Sequence, residues 1–162
     1  MYMEAEERGR RHFSEDLGEW YYTAGTSNPY DRIDVRMTAR TDPSRTYACE
    51  VKSYDDPQHP RKYAKYSHAN KDAGYMIDYD KLDALTKVAE EEGRIPVLYC
   101  RFQDWTIVWN LADIPWRNRR RTKRVNKVGV QYGKEKEEAE VTYLYMGECA
   151  WRKKTERAAI TI

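Results

Sequence analysis

Along residues 2–20, Met3, Glu6, Arg10, Phe13, Leu17 and Trp20 fall at three- and four-residue steps in a stretch otherwise rich in Glu and Arg. That spacing predicts an amphipathic helix. Residues 24–29 then collect the turn formers Gly25, Ser27, Asn28 and Pro29, so the helix stops before them. Residues 32–39 alternate, with Ile33, Val35 and Met37 on one side and Arg32, Asp34, Arg36 and Thr38 on the other. Residues 46–52 alternate again, Tyr47, Cys49 and Val51 against Ala48, Glu50 and Lys52. With the turn 41–45 between them, the two segments predict an antiparallel hairpin with a polar stripe on each strand.

A long polar loop is expected over 53–74, with Arg61, Lys62, Tyr63, Lys65, Tyr66, His68 and Lys71 interleaving basic and aromatic side chains. Leu82, Leu85, Val88 and Ala89 recur at helical spacing over 79–92, and Gly93 follows as a natural helix stop. The apolar runs 96–100 and 105–109 predict interior strands, with Trp105 and Trp109 in the core. Beyond Pro115 the chain turns basic, and strands at 128–132 and 141–146 around a charged tip at 134–140 predict a terminal β-hairpin.

The chain has 162 residues, the usual size of one domain, so a single domain over 1–162 is expected, with its core at about 6–111 and an extension at 112–162. Charged residues make up 35 %, but fourteen Tyr and five Trp give enough burial to argue against disorder. The net charge is only +2, so affinity for a polyanion must rest on where the charges sit. Cys49, Cys100 and Cys149 are far apart with no CxxC pair, and the three histidines are scattered, so neither a disulfide framework nor a structural zinc is indicated. No apolar run approaches the roughly 20 residues of a membrane span, and no basic and apolar leader opens the chain. A cytoplasmic protein with no membrane partner is the expectation.

Candidate chemistry lies on the predicted hairpin. Glu50 and Lys52 share a strand face, and Asp34 belongs to the polar stripe of the neighbouring strand. Two carboxylates and the Val51 carbonyl between Glu50 and Lys52 are the hard oxygen ligands that Mg²⁺ prefers, with Mn²⁺ as a substitute. A lysine alongside orients an attacking water or neutralises charge growing on a phosphate, which together is the equipment for phosphodiester hydrolysis.

The run Tyr30, Asp31, Arg32, Ile33, Asp34, followed by Glu50, Val51, Lys52, resembles the PD-(D/E)XK nuclease superfamily. The resemblance implies an α/β fold with a mixed central sheet flanked by helices, an αβββαβ restriction-endonuclease-like core, here with a C-terminal β-hairpin added. It implies Mg²⁺-dependent cleavage of DNA, less often RNA, in restriction, repair, recombination or phage enzymes. Asp34, Glu50 and Lys52 would be catalytic, and Asp34, Glu50, Val51 and Glu6 would hold metal. Asp31 is the rival first carboxylate, and Lys81 at the start of the second helix is a further polar residue that members of the family sometimes carry. Ile33 stands where the family's leading proline would be.

In the basic segment, Arg117, Arg119, Arg120, Arg121, Lys123 and Arg124 suit a nucleic-acid backbone; a solvated linker is the plainer alternative. For the hairpin, the plainer alternative is a cross-strand salt bridge facing solvent. At the level of function, the alternatives are the same fold kept only to bind nucleic acid or a protein partner, and an inhibitory protein that works through its Tyr-rich surface. A homodimer is compatible with the nuclease reading but not required by it.

Overall fold

The computed structural model describes residues 2–56, 58, 64–66, 74–126 and 136–155, with side chains from residue 7 onward and excepting those of residues 125, 126 and 136. In chain order the elements are helix α1 (Tyr2–Leu17), strands β1 (Tyr21–Gly25), β2 (Val35–Ala39), β3 (Thr46–Tyr54) and β4 (Tyr75–Asp78), and helix α2 (Tyr79–Glu91). Strands β5 (Ile95–Phe102), β6 (Trp105–Asn110), β7 (Arg121–Asn126), β8 (Lys136–Leu144) and β9 (Trp151–Lys154) follow. They make a mixed six-stranded sheet in the order β1-β2-β3-β5-β6-β9 and a smaller sheet in the order β4-β8-β7. Neighbours in the large sheet are antiparallel except β3 and β5, which run parallel. A parallel pair needs a crossover between its strands, and α2 lies within that connection.

Strand alternation divides the interior in two. Cys49, Val97, Tyr99 and Val108 gather with Val35 and Met37 under Phe13 and Leu17 of α1. Ala48, Leu98, Cys100 and Phe102 point the other way, onto Leu82, Leu85 and Ala89 of α2 and onto Tyr75, Ile77 and Leu144 of the small sheet. The charge buried under α1 is paired: the Tyr99 hydroxyl donates to Asp16 at 2.5 Å, and Lys153 reaches the other carboxylate oxygen. At the centre of the second core Trp109 is fully buried, stacks on Tyr75 with ring centroids 5.9 Å apart, and donates its indole N–H to the Tyr145 carbonyl at 2.8 Å. Trp109→Ala is expected to cost about 3–5 kcal/mol in chemical denaturation; a change under about 1 kcal/mol would mean that the two sheets do not pack through it.

The local reasons for the elements are visible. Asp78 caps α2, its Oδ1 accepting from the Asp80 N–H at 2.9 Å, and Gly93 ends the helix in the left-handed region at φ +67. At the end of α1, a Cβ on Gly18 would lie 2.4 Å from the Ser14 carbonyl oxygen, so only glycine fits there. Trp20 therefore falls outside the helix and is 50 % exposed, contrary to the helix expected over 2–20.

Other expectations are corrected too. Tyr21–Gly25 is a strand where turn formers suggested only a break, and Tyr75–Asp78 is a strand between the loop and α2. The extension holds an antiparallel pair of strands, Arg121–Asn126 in register with Lys136–Val141; the arm expected at 128–132 lies outside the described residues. Residues 136–140 are thus strand and not tip. Among the loop residues, Tyr66 is buried and accepts from the Met146 N–H at 2.9 Å, whereas Arg61, Lys62, Tyr63, His68 and Lys71 lie outside the described residues. No helix among the described residues is long and apolar enough to cross a membrane.

Candidate active site

The β2–β3 ladder begins at the pair Val35 and Cys49, which leaves Asp34 one residue before the strand and not inside it as the alternation suggested. The Asp34 N–H still donates to the Cys49 carbonyl at 3.1 Å, so the backbone is anchored where the strands part. Two residues on, the Val51 N–H donates to Asp34 Oδ2 at 2.9 Å. The carboxylate thereby takes the place of the strand carbonyl that would have met Val51. In a strand, the N–H and C=O of one residue lie on the same edge, so the Val51 carbonyl faces the same gap as Asp34.

Glu50 and Lys52 flank Val51 on the α2 side of the sheet, with Lys52 Nζ 3.5 Å from Glu50 Oε1 and both side chains partly buried. Burial first, and the adjacent Asp34 charge second, push the Glu50 carboxyl up to about 7. Its hydrogen bond with Asp34 also favours the protonated form. Burial works against the Lys52 ammonium, but its neighbours, Glu50 foremost, override that and hold it above its ordinary range. Lys81, in the first turn of α2, stands beside Lys52, whose charge, with partial burial second, draws the Lys81 ammonium below its ordinary range.

Tyr54 and Tyr75, joined hydroxyl to hydroxyl, close the site toward the second core with the Cys100 thiol, which burial keeps protonated. These tyrosines did not enter the reading of the sequence. Extending the alternation of Glu50 and Lys52 by two residues puts Tyr54 on the same face, and that is the signal that would have found it.

Asp31 is elsewhere. It accepts from Arg36 at 2.7 Å and from the Ile33 N–H at 3.0 Å, and the Arg36 hydrogen bond holds its carboxyl below the usual range despite some burial. Arg36 also forks onto Glu92 at 2.9 and 2.8 Å, so Asp31 belongs to an ion-pair network that ties β2 to the end of α2. Glu6 lies in α1, and its side chain is outside the described ones. A Cβ on Gly9, one turn later, would meet Ser53 Oγ and Val51 Cγ1 at 3.1 and 3.2 Å, so α1 crosses β3 on the face opposite Glu50 and Lys52. Among the described residues no group of three or more His, Cys, Asp or Glu side chains converges; the acids brought together here are the pair Asp34 and Glu50.

The basic segment divides. Arg117 pairs with Asp83, Arg119 with Glu148 and the Tyr143 carbonyl, and Arg120 with Glu140 at 3.0 Å while lying over the Tyr79 ring. Arg121, Lys123 and Arg124 are exposed on β7. Compared with family models, curated proteins and solved structures, the chain matches none.

Proposed function

We propose that this protein is a metal-dependent nuclease of the PD-(D/E)XK kind, hydrolysing phosphodiester bonds of DNA. The observation that carries the reading is the contact between two carboxylates, Asp34 and Glu50, in a partly buried corner with Lys52 3.5 Å away. A surface ion pair kept for stability has no use for burial and a second acid that together push Glu50 up to about 7. A strongly shifted group beside a specific charged neighbour is what functional sites accumulate.

The arrangement fits a hard divalent cation. Asp34, Glu50 and the Val51 carbonyl would supply oxygen donors to a cation that takes its remaining ligands from water or phosphate. A bound Mg²⁺ or Mn²⁺ would neutralise the two acids, polarise a phosphate and lower the pKa of a water. Lys52 holds its ammonium beside Glu50, positioned to orient that water or to meet charge developing on the phosphate. Asp34 is fixed by the Val51 N–H, so its second oxygen is oriented before any ligand arrives. With β4 of the small sheet lying between β3 and α2, the remaining order α1, β1, β2, β3, α2, β5 and the parallel β3–β5 pair support reading the chain against the αβββαβ arrangement that the resemblance implies.

The test is calorimetric titration of Mg²⁺ and Mn²⁺ into the protein and its Glu50→Gln variant, with both proteins incubated with single-stranded, duplex and branched DNA. Metal binding and cleavage that are both lost in the variant are expected. No binding at millimolar metal, with every DNA left intact, would refute the assignment.

A further inference from the structure

Four cations of this region, Lys81, Arg121, Lys123 and Arg124, form no ion pair among the described residues. Lys81 stands beside Lys52, with Asp78 and Glu50 the acids that act on it, yet among the described residues it forms no ion pair. Arg121 and Lys123 are exposed on β7 and likewise unpaired among the described residues, whereas Arg117, Arg119 and Arg120 are each held by an acid. Arg124 lies in register with Glu138, and Arg121 and Lys123 lie in register with Val141 and Ala139. The charge on the Arg121 side of β7 is therefore not offset by the strand next to it.

These cations are connected in space. Asp78, Val141 and Arg121 form one row across β4, β8 and β7, so Asp78 and Arg121 are two strand spacings apart, roughly 10 Å. Asp78 has its carboxylate turned into the first turn of α2, accepting from the Asp80 N–H, and Lys81 follows in that turn. Arg120 lies over the Tyr79 ring with its guanidinium carbon 4.5 Å from the centroid, which ties the start of β7 to the start of α2. Lys123 lies two residues farther along β7, roughly 7 Å on. From the start of α2 to Arg121 and on to Lys123 the row is thus roughly 17 Å long, the reach of a few phosphates of one strand.

We propose that Lys81, Arg121 and Lys123 form a phosphate track that leads one DNA strand away from the Glu50 and Lys52 corner, over the first turn of α2 and along β7. The track rests on the nuclease reading for its substrate. It contacts phosphates alone, and hydrolysis by an activated water needs no 2′-hydroxyl, so a DNA strand supplies everything that it recognises. Asp34 and Glu50 would repel the same backbone without a metal, and the leading position of Lys81 offsets that repulsion where the strand enters.

The experiment uses the full chain in chelator, so that binding is read without cleavage, and a fluorescently labelled single-stranded DNA oligonucleotide titrated over a range of salt. Each of Lys81→Ala, Arg121→Ala and Lys123→Ala is expected to weaken binding several-fold at low salt. Each should also flatten the slope of log K against log salt by about 0.7, one phosphate contact in a single strand. Lys81→Arg is expected to restore the slope, and Lys154→Ala, on the edge strand β9 of the other sheet, to leave it as it was. An unchanged slope in the triple variant, or no DNA binding by the parent at low salt, overturns the track. Preference for a matched RNA overturns the DNA assignment. Cleavage that persists with unchanged slopes removes the track and leaves the nuclease, whereas the expected slopes without cleavage in any metal remove the nuclease and leave the track.

Discussion

Lys52→Ala is expected to slow metal-supported DNA cleavage by about 10²- to 10³-fold, the usual loss when one preorganised charge or donor is taken from a developing anion. Metal affinity is expected to stay within a few-fold of the parent, because Lys52 offers no ligand atom and the oxygen donors are those of Asp34, Glu50 and Val51. The split between rate and affinity is what assigns the role. Glu50→Gln should lose both, and a purely structural Lys52 would lose stability without this selectivity. Lys52→Arg is expected to recover little, since a planar guanidinium on a longer stem does not put its charge where the ammonium lies beside Glu50. Single-turnover cleavage alongside calorimetry reads both quantities. Cleavage by Lys52→Ala at the parent rate in saturating metal would sink the assignment.

How much of this was legible beforehand follows from the physics of each element. The half-buried strand Thr46–Tyr54 alternates cleanly because its faces lie against two different cores, so the shared face of Glu50 and Lys52 could be read directly. The meeting with Asp34 depended on register, which alternation alone does not specify, and the carboxylate arrives from just outside the strand by replacing a ladder bond. β1 is an edge strand with mostly exposed residues, and β7 is an edge strand of Arg, Thr and Lys, so neither shows an apolar period. Charged edge strands of this type resist unwanted pairing, and the same device conceals them from pattern reading. Arg117, Arg119 and Arg120 looked like free cations because their acids lie 34, 29 and 20 residues away along the chain. Only the folded packing of β8, α2 and the 146–148 turn brings those acids into place.

The second large effect is a dependence on pH that added metal offsets. Glu50 titrates at about 7 in the folded chain and near its ordinary 4.5 in an unfolded one. Between those values the native state holds a proton that the unfolded state has released, so the metal-free protein loses stability as pH rises through the window. The loss is complete above about pH 7 and on the order of 3 kcal/mol. Asp31 and Glu92, held below their ordinary range first of all by the Arg36 hydrogen bond, act with the opposite sign but at lower pH, outside this window. Glu50→Gln is therefore expected to raise metal-free stability at about pH 8 and to leave it nearly unchanged at about pH 4. In the parent, Mg²⁺ competes with the proton on Glu50, so its affinity is expected to rise about tenfold per unit as pH climbs toward about 7 and then to level off. Stabilisation by added Mg²⁺ should grow over the same range, offsetting the loss seen without it. Denaturation midpoints across pH, with chelator and with Mg²⁺, measure both branches. Parallel curves for the parent and Glu50→Gln in chelator would mean that neither burial nor Asp34 shifts Glu50, and the reason for reading Asp34 and Glu50 as a metal site would be gone.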